Sequence, residues 1–282
     1  MIIFKHAKGL RDYLNKPDIK GSSIGFVPTM GALHEGHLSL IKKSKKTEEI
    51  IVCSIFVNPT QFNNPEDFEK YPKTIEKDIL LLEETGCDIL FLPQKEEIYP
   101  GKSTKKEHYE LGYLETILEG EFRPGHFQGV CQVVDRLLNV VNPDFLFLGQ
   151  KDFQQCMVIK RLLELTNKKI KIIICPTLRE KNGLAKSSRN LRLTTKEIEI
   201  AAELNRSLLS IKNNLTKNNF LELKKSSILH LEKAGFKVEY LELARRSDLK
   251  ILTEFKKGQE FVILVAAFLN KVRLIDNLLI TV

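Results

Sequence analysis

The segment richest in reactive groups runs from Phe26 to Leu40 and contains two histidines, His34 and His37. Its apolar start predicts a strand that breaks at Pro28, and the following residues predict a helix that begins near His37. Residues three apart share one face of a helix. The N–H groups and the positive dipole end of a helix start favour phosphate. We therefore predict a phosphate-binding turn at Met30–His37.

Three familiar motifs match this region only in part. Gly31 and Gly36 have the spacing of a P-loop, but His37 and Leu38 replace its lysine and its hydroxyl residue. The two histidines are one residue too close for the H-E-x-x-H helix of a zinc protease. Gly21–Gly25 matches G-x-S-x-G, yet it precedes a strand instead of turning from a strand into a helix. The remaining interpretation is that the glycines let a ligand approach the backbone.

Amide side chains follow the second predicted strand, at Asn58 and Gln61. Amides supply donors and acceptors without charge, which suits a ligand that carries hydroxyl and carboxylate groups. A turn in which Asn58 and Pro59 merely end the strand fits the same residues. The residues alone leave both interpretations open.

A third strand end, at Gly149–Gln155, combines a glycine, a cation and an amide. Gly149 permits close approach of a ligand, Lys151 supplies a positive charge, and Asp152 can cap the following helix. Gln155 then lies one turn along that helix, facing the same edge of the sheet. This position favours ligand binding over a chance Lys-Asp pair.

A polar loop at 179–190 concentrates Lys186, Ser187, Ser188 and Arg189. Cations and hydroxyl donors are what a triphosphate needs while charge develops on a departing pyrophosphate. A solvated linker between two domains is the alternative interpretation.

The elements that would position these groups alternate between strands and helices. Short apolar runs typical of strands buried on both faces lie at Ile24–Val27, Ile50–Val57, Ile89–Leu92, Phe145–Leu148 and Ile170–Ile174. Helical patterns lie at His37–Lys46, Thr74–Thr85, Val130–Val141 and Phe153–Leu165. This alternation predicts an α/β fold with a Rossmann-like, doubly wound parallel sheet. Ligands bind such sheets beyond the carboxyl ends of the strands.

The alternation of strand and helix patterns ends at about residue 177. Two long helical patterns are followed by three strand patterns, at Thr195–Asn213, Asn219–Ala234, Lys237–Leu243, Phe261–Phe268 and Val272–Ile280. We therefore predict a Rossmann-like domain at 1–177 and a smaller α+β domain at 178–282.

Composition excludes several classes of protein. With 43% hydrophobic and 28% charged residues among 282, the chain is predicted to be globular. It shows no signal-peptide core and no stretch near the roughly 20 apolar residues of a membrane span. The five cysteines form no C-x-x-C pair, so we predict buried thiols and no metal-ligating residues. A cytoplasmic protein without a membrane partner is expected.

The net charge of +8 is spread along the chain. Its basic runs, Lys42–Lys46 and Lys102–Lys106, are typical of solvated surfaces. The C-terminal part lacks a basic stripe interleaved with aromatic residues. We therefore predict no nucleic-acid partner.

Six segments together resemble one family. They read FVPTMGALHEGH, SIFVNPTQF, RPGHFQGV, GQKDFQQ, NGLAKSSRN and RLIDN, and they run in order from residue 26 to 277. They are similar to the pantoate–β-alanine ligases, which belong to the nucleotidyltransferase superfamily together with class I aminoacyl-tRNA synthetases. In that light His34–His37 resembles the H-x-G-H signature of the superfamily, and Lys186–Arg189 resembles its K-M-S-K-S loop.

The resemblance implies a set of site residues. ATP is expected at Met30, Gly31, Ala32, Leu33, His34, Glu35, Gly36, His37, Gly149, Gln150, Lys151, Asp152, Leu178, Lys186, Ser187, Ser188 and Arg189. Pantoate is expected at Gln61 and Gln155, to which the position after the second strand adds Asn58, and β-alanine is expected near Gln61. Catalytic roles are expected for His37, His34, Lys151 and Arg189, with His37 at the position of a proton donor.

The implied reaction has two steps. Pantoate would attack Mg·ATP to form pantoyl adenylate and pyrophosphate, and β-alanine would then displace AMP to give pantothenate. The C-terminal domain is expected to act as a lid, and the family is typically homodimeric. The sequence departs from the family pattern at Asn182, where Asp is common, and at Lys186, where Leu or Met is common.

Two alternatives share these signatures. A nucleotidyltransferase that keeps the nucleotide on its product would release pyrophosphate without AMP. A tRNA-binding protein would fit the basic charge and would show salt-sensitive binding of tRNA.

Overall fold

The computed structural model describes residues 1–63, 65–101, 107–216, 219–254 and 258–281. The predicted basic run at Lys102–Lys106 lies outside these residues. The chain divides into two compact units, of which the first comprises 1–149 and 158–176, and the second comprises 150–157 and 177–282. The segment 150–157 thus belongs with the C-terminal unit, although the sequence placed it in the N-terminal domain.

Parallel strands form the centre of the first unit. They are β1 (Ile2–Phe4), β2 (Ile24–Thr29), β3 (Ile50–Ile55), β4 (Ile89–Phe91), β5 (Phe145–Gly149) and β6 (Lys171–Cys175). In the described part of the chain they form one six-stranded sheet in the order β1-β4-β3-β2-β5-β6, with every pair parallel. The predicted doubly wound parallel sheet is confirmed.

Helices connect these strands. They are α1 (Ala7–Leu14), α2 (Glu35–Ser44), α3 (Pro65–Glu69), α4 (Ile75–Thr85), α5 (Lys95–Ile98), α6 (Glu119–Phe122), α7 (His126–Val141) and α8 (Phe153–Leu165). The helix α4 is capped at its C-terminus by Gly86 in the left-handed conformation, with φ of 82°, which glycine adopts without steric cost. Apolar residues of α2, α4 and the central strands form one buried cluster.

The chain order of the strands places a switch point beside β2. This strand pairs with β3 on one side and with β5 on the other, so the direction of winding reverses between β2 and β5. Parallel sheets open a crevice at the carboxyl ends of the strands that flank such a point. The turn at Met30–His37 follows directly on β2, and Gly149 ends β5.

The predicted strand break at Pro28 is wrong, because β2 continues through Pro28 to Thr29. The carbonyl of Ile24 accepts from the backbone N–H of Asp144. The backbone N–H and C=O groups of the even-numbered residues of β2 therefore point toward β5. Pairing with β5 ends at Phe26. The N–H that Pro28 lacks would point past this last pair, so proline removes no bond between the strands.

The second unit is built on an antiparallel sheet. Its elements are α9 (Thr195–Ala201), α10 (Glu203–Asn214), α11 (Phe220–Lys233), β7 (Phe236–Arg245), β8 (Glu260–Leu269) and β9 (Val272–Thr281). Among the residues described, the order is β7-β8-β9 with antiparallel pairing. The predicted helix at Thr195–Asn213 is interrupted at Ala202, which keeps right-handed helical dihedrals. Apolar residues of α10, α11 and all three strands form the core of this unit.

The five cysteines are all buried, as predicted. Burial raises the pKa of the Cys87 and Cys131 thiols to about 12 and raises the pKa of Cys53 and Cys175 above the ordinary value. No helix in the described ranges has the length and apolar character needed to cross a membrane.

Candidate functional site

The two histidines after β2 organise the start of α2. His34 is the N-cap residue, and its Nδ1 accepts the backbone N–H of Gly36 at 3.1 Å. The Nδ1 of His37 accepts the backbone N–H of His34 at 3.4 Å. The two rings lie 4.1 Å apart between centroids. Both imidazoles therefore cap the helix start at which the sequence predicted phosphate binding.

This capping fixes the tautomer of both rings. Because Nδ1 accepts a backbone N–H in each ring, the proton of each neutral imidazole lies on Nε2. Two N–H donors are thereby held side by side in the turn, in addition to the backbone groups of the helix start. Such an arrangement suits the oxygens of a polyphosphate.

A buried carboxylate holds the turn from behind. Asp78 of α4 is fully buried, and its two oxygens accept the backbone N–H of Ala32 at 2.9 Å and of Leu33 at 2.8 Å. Its Oδ1 also accepts the hydroxyl of Thr74 at 3.0 Å. Ala32 has a positive φ of 49°, a conformation that costs free energy for a residue with a side chain. Asp78 thus stabilises the strained backbone that leads into His34.

The amides after β3 lie next to this turn. The Nε2 of Gln61 lies 3.0 Å from the sulfur of Met30 and donates to it, and the Oε1 of Gln61 accepts from Nδ2 of Asn58 at 3.2 Å. Two neighbouring strand ends therefore bring one predicted ATP-binding residue and one predicted pantoate-binding residue into contact, as expected for the carboxyl edge of a parallel sheet.

The side chain of Asn58 makes its hydrogen bonds within the protein. It is 1% exposed, and its Nδ2 donates to the carbonyl of Gly129 at 3.1 Å as well as to Gln61. Its Oδ1 accepts the Tyr99 hydroxyl at 2.9 Å and the Thr60 hydroxyl at 3.1 Å. Burial raises the pKa of the Tyr99 phenol, so Tyr99 stays a donor at neutral pH. In this structure Asn58 fixes the position of Gln61.

The RPGHFQGV segment supports the Asn58–Gln61 turn, a role that the sequence did not assign. His126 is buried, and its Nδ1 donates to the carbonyl of Gln61 at 2.8 Å. Arg123 donates to the Nε2 of His126 at 3.1 Å. At Gly129, an added Cβ would lie 2.4 Å from the carbonyl oxygen of Thr60. Helix α7 therefore approaches the turn so closely that only glycine fits at this position.

The remaining predicted residues lie in the second unit, except Gly149, which ends β5 in the first. Gln150, Lys151 and Asp152 form a single helical turn. The Lys151 side chain is mostly buried, and its Nζ lies 3.1 Å from an Asp152 oxygen. Gln155 is half-buried in the first turn of α8.

The loop that was predicted to bind phosphate is internally structured. The backbone N–H of Lys186 donates to the carbonyl of Leu178 at 2.9 Å, and Leu178 is exposed. The ammonium of Lys186 pairs with Glu180 at 2.9 Å. The Ser187 hydroxyl accepts the backbone N–H of Arg189 at 3.3 Å, and Ser188 is buried. A phosphate would therefore compete with Glu180 for the Lys186 cation.

Some residues of this region were indicated by the sequence, and others were recognised only in the structure. Within the first unit, Gln61 contacts Met30, which begins the turn that carries the histidine pair. Asp78 was missed, because an aspartate in the first turn of a helix is common and indicates only that helix. His126 and Gly129 were recognised as parts of a motif without a role, since their contact with Gln61 depends on tertiary packing.

Comparison with known proteins gives consistent matches over the whole chain. The profile of the pantoate-beta-alanine ligase family matches residues 2–279. A curated relative named pantothenate synthetase, from Cytophaga hutchinsonii, is 43% identical over 289 residues and covers 99% of each chain. The relative of the same name from Azobacteroides pseudotrichonymphae is 44% identical over 280 residues, again with 99% of each chain covered.

Solved structures agree with these matches. The crystal structure of pantothenate synthetase from Thermus thermophilus superposes with a TM-score of 0.89 at 36% identity, covering 99% of both chains. The pantoate-beta-alanine ligase from Francisella tularensis, complexed with beta-gamma ATP and beta-alanine, superposes with a TM-score of 0.83 at 40% identity. That match covers 99% of this chain and 97% of the other.

Proposed function

Because this chain belongs to the pantoate–β-alanine ligase family, we propose that it condenses (R)-pantoate with β-alanine to give pantothenate, AMP and pyrophosphate. The observation that carries the proposal is the contact between two strand-end turns in the first unit. One turn presents the N–H donors of His34 and His37 at a helix start, and the other presents Gln61 beside it. A nucleotide phosphate and a small hydroxy acid would thus bind side by side.

In the first half-reaction, a carboxylate oxygen of pantoate attacks the α-phosphorus of ATP, and pyrophosphate leaves. A free carboxylate is a poor acyl donor, and the bond to phosphorus turns one of its oxygens into part of a good leaving group. Negative charge grows on the departing phosphate oxygens. The Nε2–H groups of His34 and His37 would stabilise that charge by hydrogen bonding, which requires no proton transfer.

In the second half-reaction, the amine of β-alanine attacks the acyl carbon of pantoyl adenylate and displaces AMP. The nitrogen loses a proton as the amide forms. Gln61 would orient both substrates here, because its amide offers a donor and an acceptor to the hydroxy acid and to the incoming amine. For Asn58 to contact pantoate directly, its Nδ2 would exchange the bond to Gln61 for one to the substrate.

Residues of the second unit would complete the nucleotide site. We assign Lys151, Lys186 and Arg189 to the polyphosphate and Gln155 to pantoate, with the second unit acting as a lid. Lys186 would leave Glu180 when a phosphate arrives. Support comes from the chemistry of these side chains, since cations and hydroxyls stabilise a departing pyrophosphate.

Mg²⁺ would arrive bound to ATP as part of the substrate. This ion usually keeps several waters and binds phosphate oxygens with one or two carboxylates. Within the described ranges, no group of three or more His, Cys, Asp or Glu side chains is arranged to hold a metal. We also propose a cytoplasmic location and a homodimer, in line with the family resemblance.

A two-substrate assay tests the function. AMP release from ATP should require both pantoate and β-alanine, whereas exchange of labelled pyrophosphate into ATP should require pantoate alone. Release of pyrophosphate without AMP would instead favour a nucleotidyltransferase that keeps the nucleotide on its product.

The close packing at Gly129 gives a prediction for substrate binding. Changing Gly129→Ala would push the added methyl into the Thr60 carbonyl, 2.4 Å away, and displace the Asn58–Gln61 turn. We expect the KM for pantoate to rise about tenfold or more, because a misplacement near 1 Å can cost up to about 10²-fold.

The matched control is Gly9→Ala in α1, where the new methyl would meet Phe4 at an ordinary 3.6 Å. Its steady-state kinetics should match those of the wild type. A Gly129→Ala protein with an unchanged KM for pantoate would show that the turn does not position this substrate.

A further inference from the structure

The RLIDN segment in the first half of β9 has no role in the reaction described so far. It contains two buried polar residues, Asp276 with 3% and Asn277 with 1% of its surface exposed. Neighbouring residues of a strand point to opposite faces. The two side chains therefore contact different parts of the second unit.

Asn277 binds the turn that carries Lys151. Its Nδ2 donates to the carbonyl of Gln150 at 2.9 Å and to the carbonyl of Lys151 at 2.8 Å. Its Oδ1 accepts from Nε2 of Gln150 at 3.1 Å. Both N–H bonds of the amide are thus used to hold one turn of backbone, which an apolar side chain at this position could not do.

Asp276 binds the base of the loop that carries Lys186 and Arg189. Its two oxygens accept from Nη1 and Nη2 of Arg179 at 2.6 and 2.9 Å. Arg179 in turn donates to the carbonyl of Gly183 at 3.1 Å and to the carbonyl of Asn277 at 3.3 Å. The backbone of Asn277 also donates to Asp276 at 2.7 Å.

The free energy expected of the Arg179–Asp276 ion pair favours a geometric role. A buried Arg–carboxylate pair adds little net stability compared with apolar residues of the same volume, since desolvation offsets the attraction. Two parallel N–H···O bonds do fix direction, because both groups are planar and rigid. The dipeptide is thus better suited to setting the geometry of the turn and the loop than to raising overall stability.

We propose that Asp276 and Asn277 are positioning residues for adenylate formation. Together they hold the Gln150–Asp152 turn and the Arg179–Arg189 loop in one fixed arrangement, so that the backbone that carries Lys151, Lys186 and Arg189 is preorganised. The proposal rests on the proposed function and deepens it. These cations matter while pyrophosphate departs, and pantoyl adenylate carries no β- or γ-phosphate.

The two half-reactions separate this role from a general structural one. For Asn277→Ala we expect pantoate-dependent exchange of pyrophosphate into ATP to fall by about 10²-fold, since the turn is no longer held. Reaction of preformed pantoyl adenylate with β-alanine should stay within about threefold of the wild-type rate. Asp276→Asn should show the same split, because it weakens the bidentate bond to Arg179.

The matched control is Ile280→Val on the same strand. Ile280 is 4% exposed and lies in the apolar core, so this change loosens packing without touching the turn or the loop. Both half-reactions should match the wild type. Amide hydrogen exchange gives a readout independent of activity, since peptides over 150–157 should exchange faster in Asn277→Ala than in Ile280→Val.

Several outcomes overturn the inference. Equal losses in both half-reactions would point to a general structural role, and exchange of pyrophosphate at the wild-type rate in Asn277→Ala would exclude any role in adenylation. Unchanged hydrogen exchange over 150–157 would show that Asn277 does not hold the turn. A wild-type protein that releases no AMP with both substrates would instead refute the proposed function, and the inference with it.

Discussion

Replacing His34 by Asn or His37 by Gln is expected to remove adenylate formation and leave the fold in place. Asparagine is a good N-cap residue, and glutamine three positions later can bond back to the cap, so both variants keep the capping contacts of α2. In each variant the amide oxygen takes over the capping contact, and the amide N–H groups no longer lie where the imidazole holds its Nε2–H. We expect pantoate-dependent pyrophosphate exchange to fall by about 10²–10³-fold, as for the loss of one donor to a developing anion.

The matched control is His6→Asn, which also changes a histidine at the N-cap of a helix in the first unit. His6 contacts Glu97 and is largely exposed, and its variant should exchange pyrophosphate at the wild-type rate. Thermal midpoints of all three variants should lie within about 4 °C of the wild type. Pyrophosphate exchange near the wild-type rate in His34→Asn or His37→Gln would show that the imidazole is not needed for adenylate formation.

Asp78→Asn is expected to have the second-largest effect, although Asp78 is placed behind the turn. Its oxygens accept two backbone N–H groups and one hydroxyl, and the amide that replaces one oxygen must face a donor. Hydrogen bonds to charged groups contribute about 1.5–3 kcal/mol each, so the free energy of unfolding should fall by a similar amount. The strained backbone at Ala32 should then relax, and pyrophosphate exchange should fall at least about tenfold.

Thr74→Val separates these two effects. It removes the hydroxyl donor to Asp78 but leaves the bonds to Ala32 and Leu33, so its exchange rate should stay within about threefold of the wild type. Denaturant unfolding and exchange are measured on the same samples, under conditions in which each variant is folded. An Asp78→Asn protein with lowered stability and wild-type exchange would limit Asp78 to a structural role.

Much of the fold follows from the sequence because its strands are buried on both faces and stand out as apolar runs. β1 and α1 were missed for the opposite reason. β1 has three residues at the sheet edge, and both Ile2 and Ile3 are over 40% exposed, so it gives no long apolar run. Pro28 misled the prediction because proline is tolerated in a strand wherever its missing N–H would face no partner.

The sequence indicates the candidate residues that stand directly after strands. The turns that carry His34, His37 and Gln61 are neighbours because carboxyl ends of parallel strands share one edge, which is a property of the topology. Asp78 and Asn277 could not be found in this way. Their partners lie 45 and 127 positions away for the contacts Leu33–Asp78 and Gln150–Asn277, and only the packed structure sets those pairings.

The interior placement of the cysteines makes the native chain a self-reporting probe of its own unfolding. Only a thiolate reacts readily with alkylating reagents. While the first unit is packed, a reagent cannot reach the thiols of Cys87 and Cys131, and their raised pKa keeps them protonated. Labelling kinetics at these two thiols therefore measure how often the first unit opens. An electrophile that inactivates folded enzyme without such opening must be reacting at another kind of side chain.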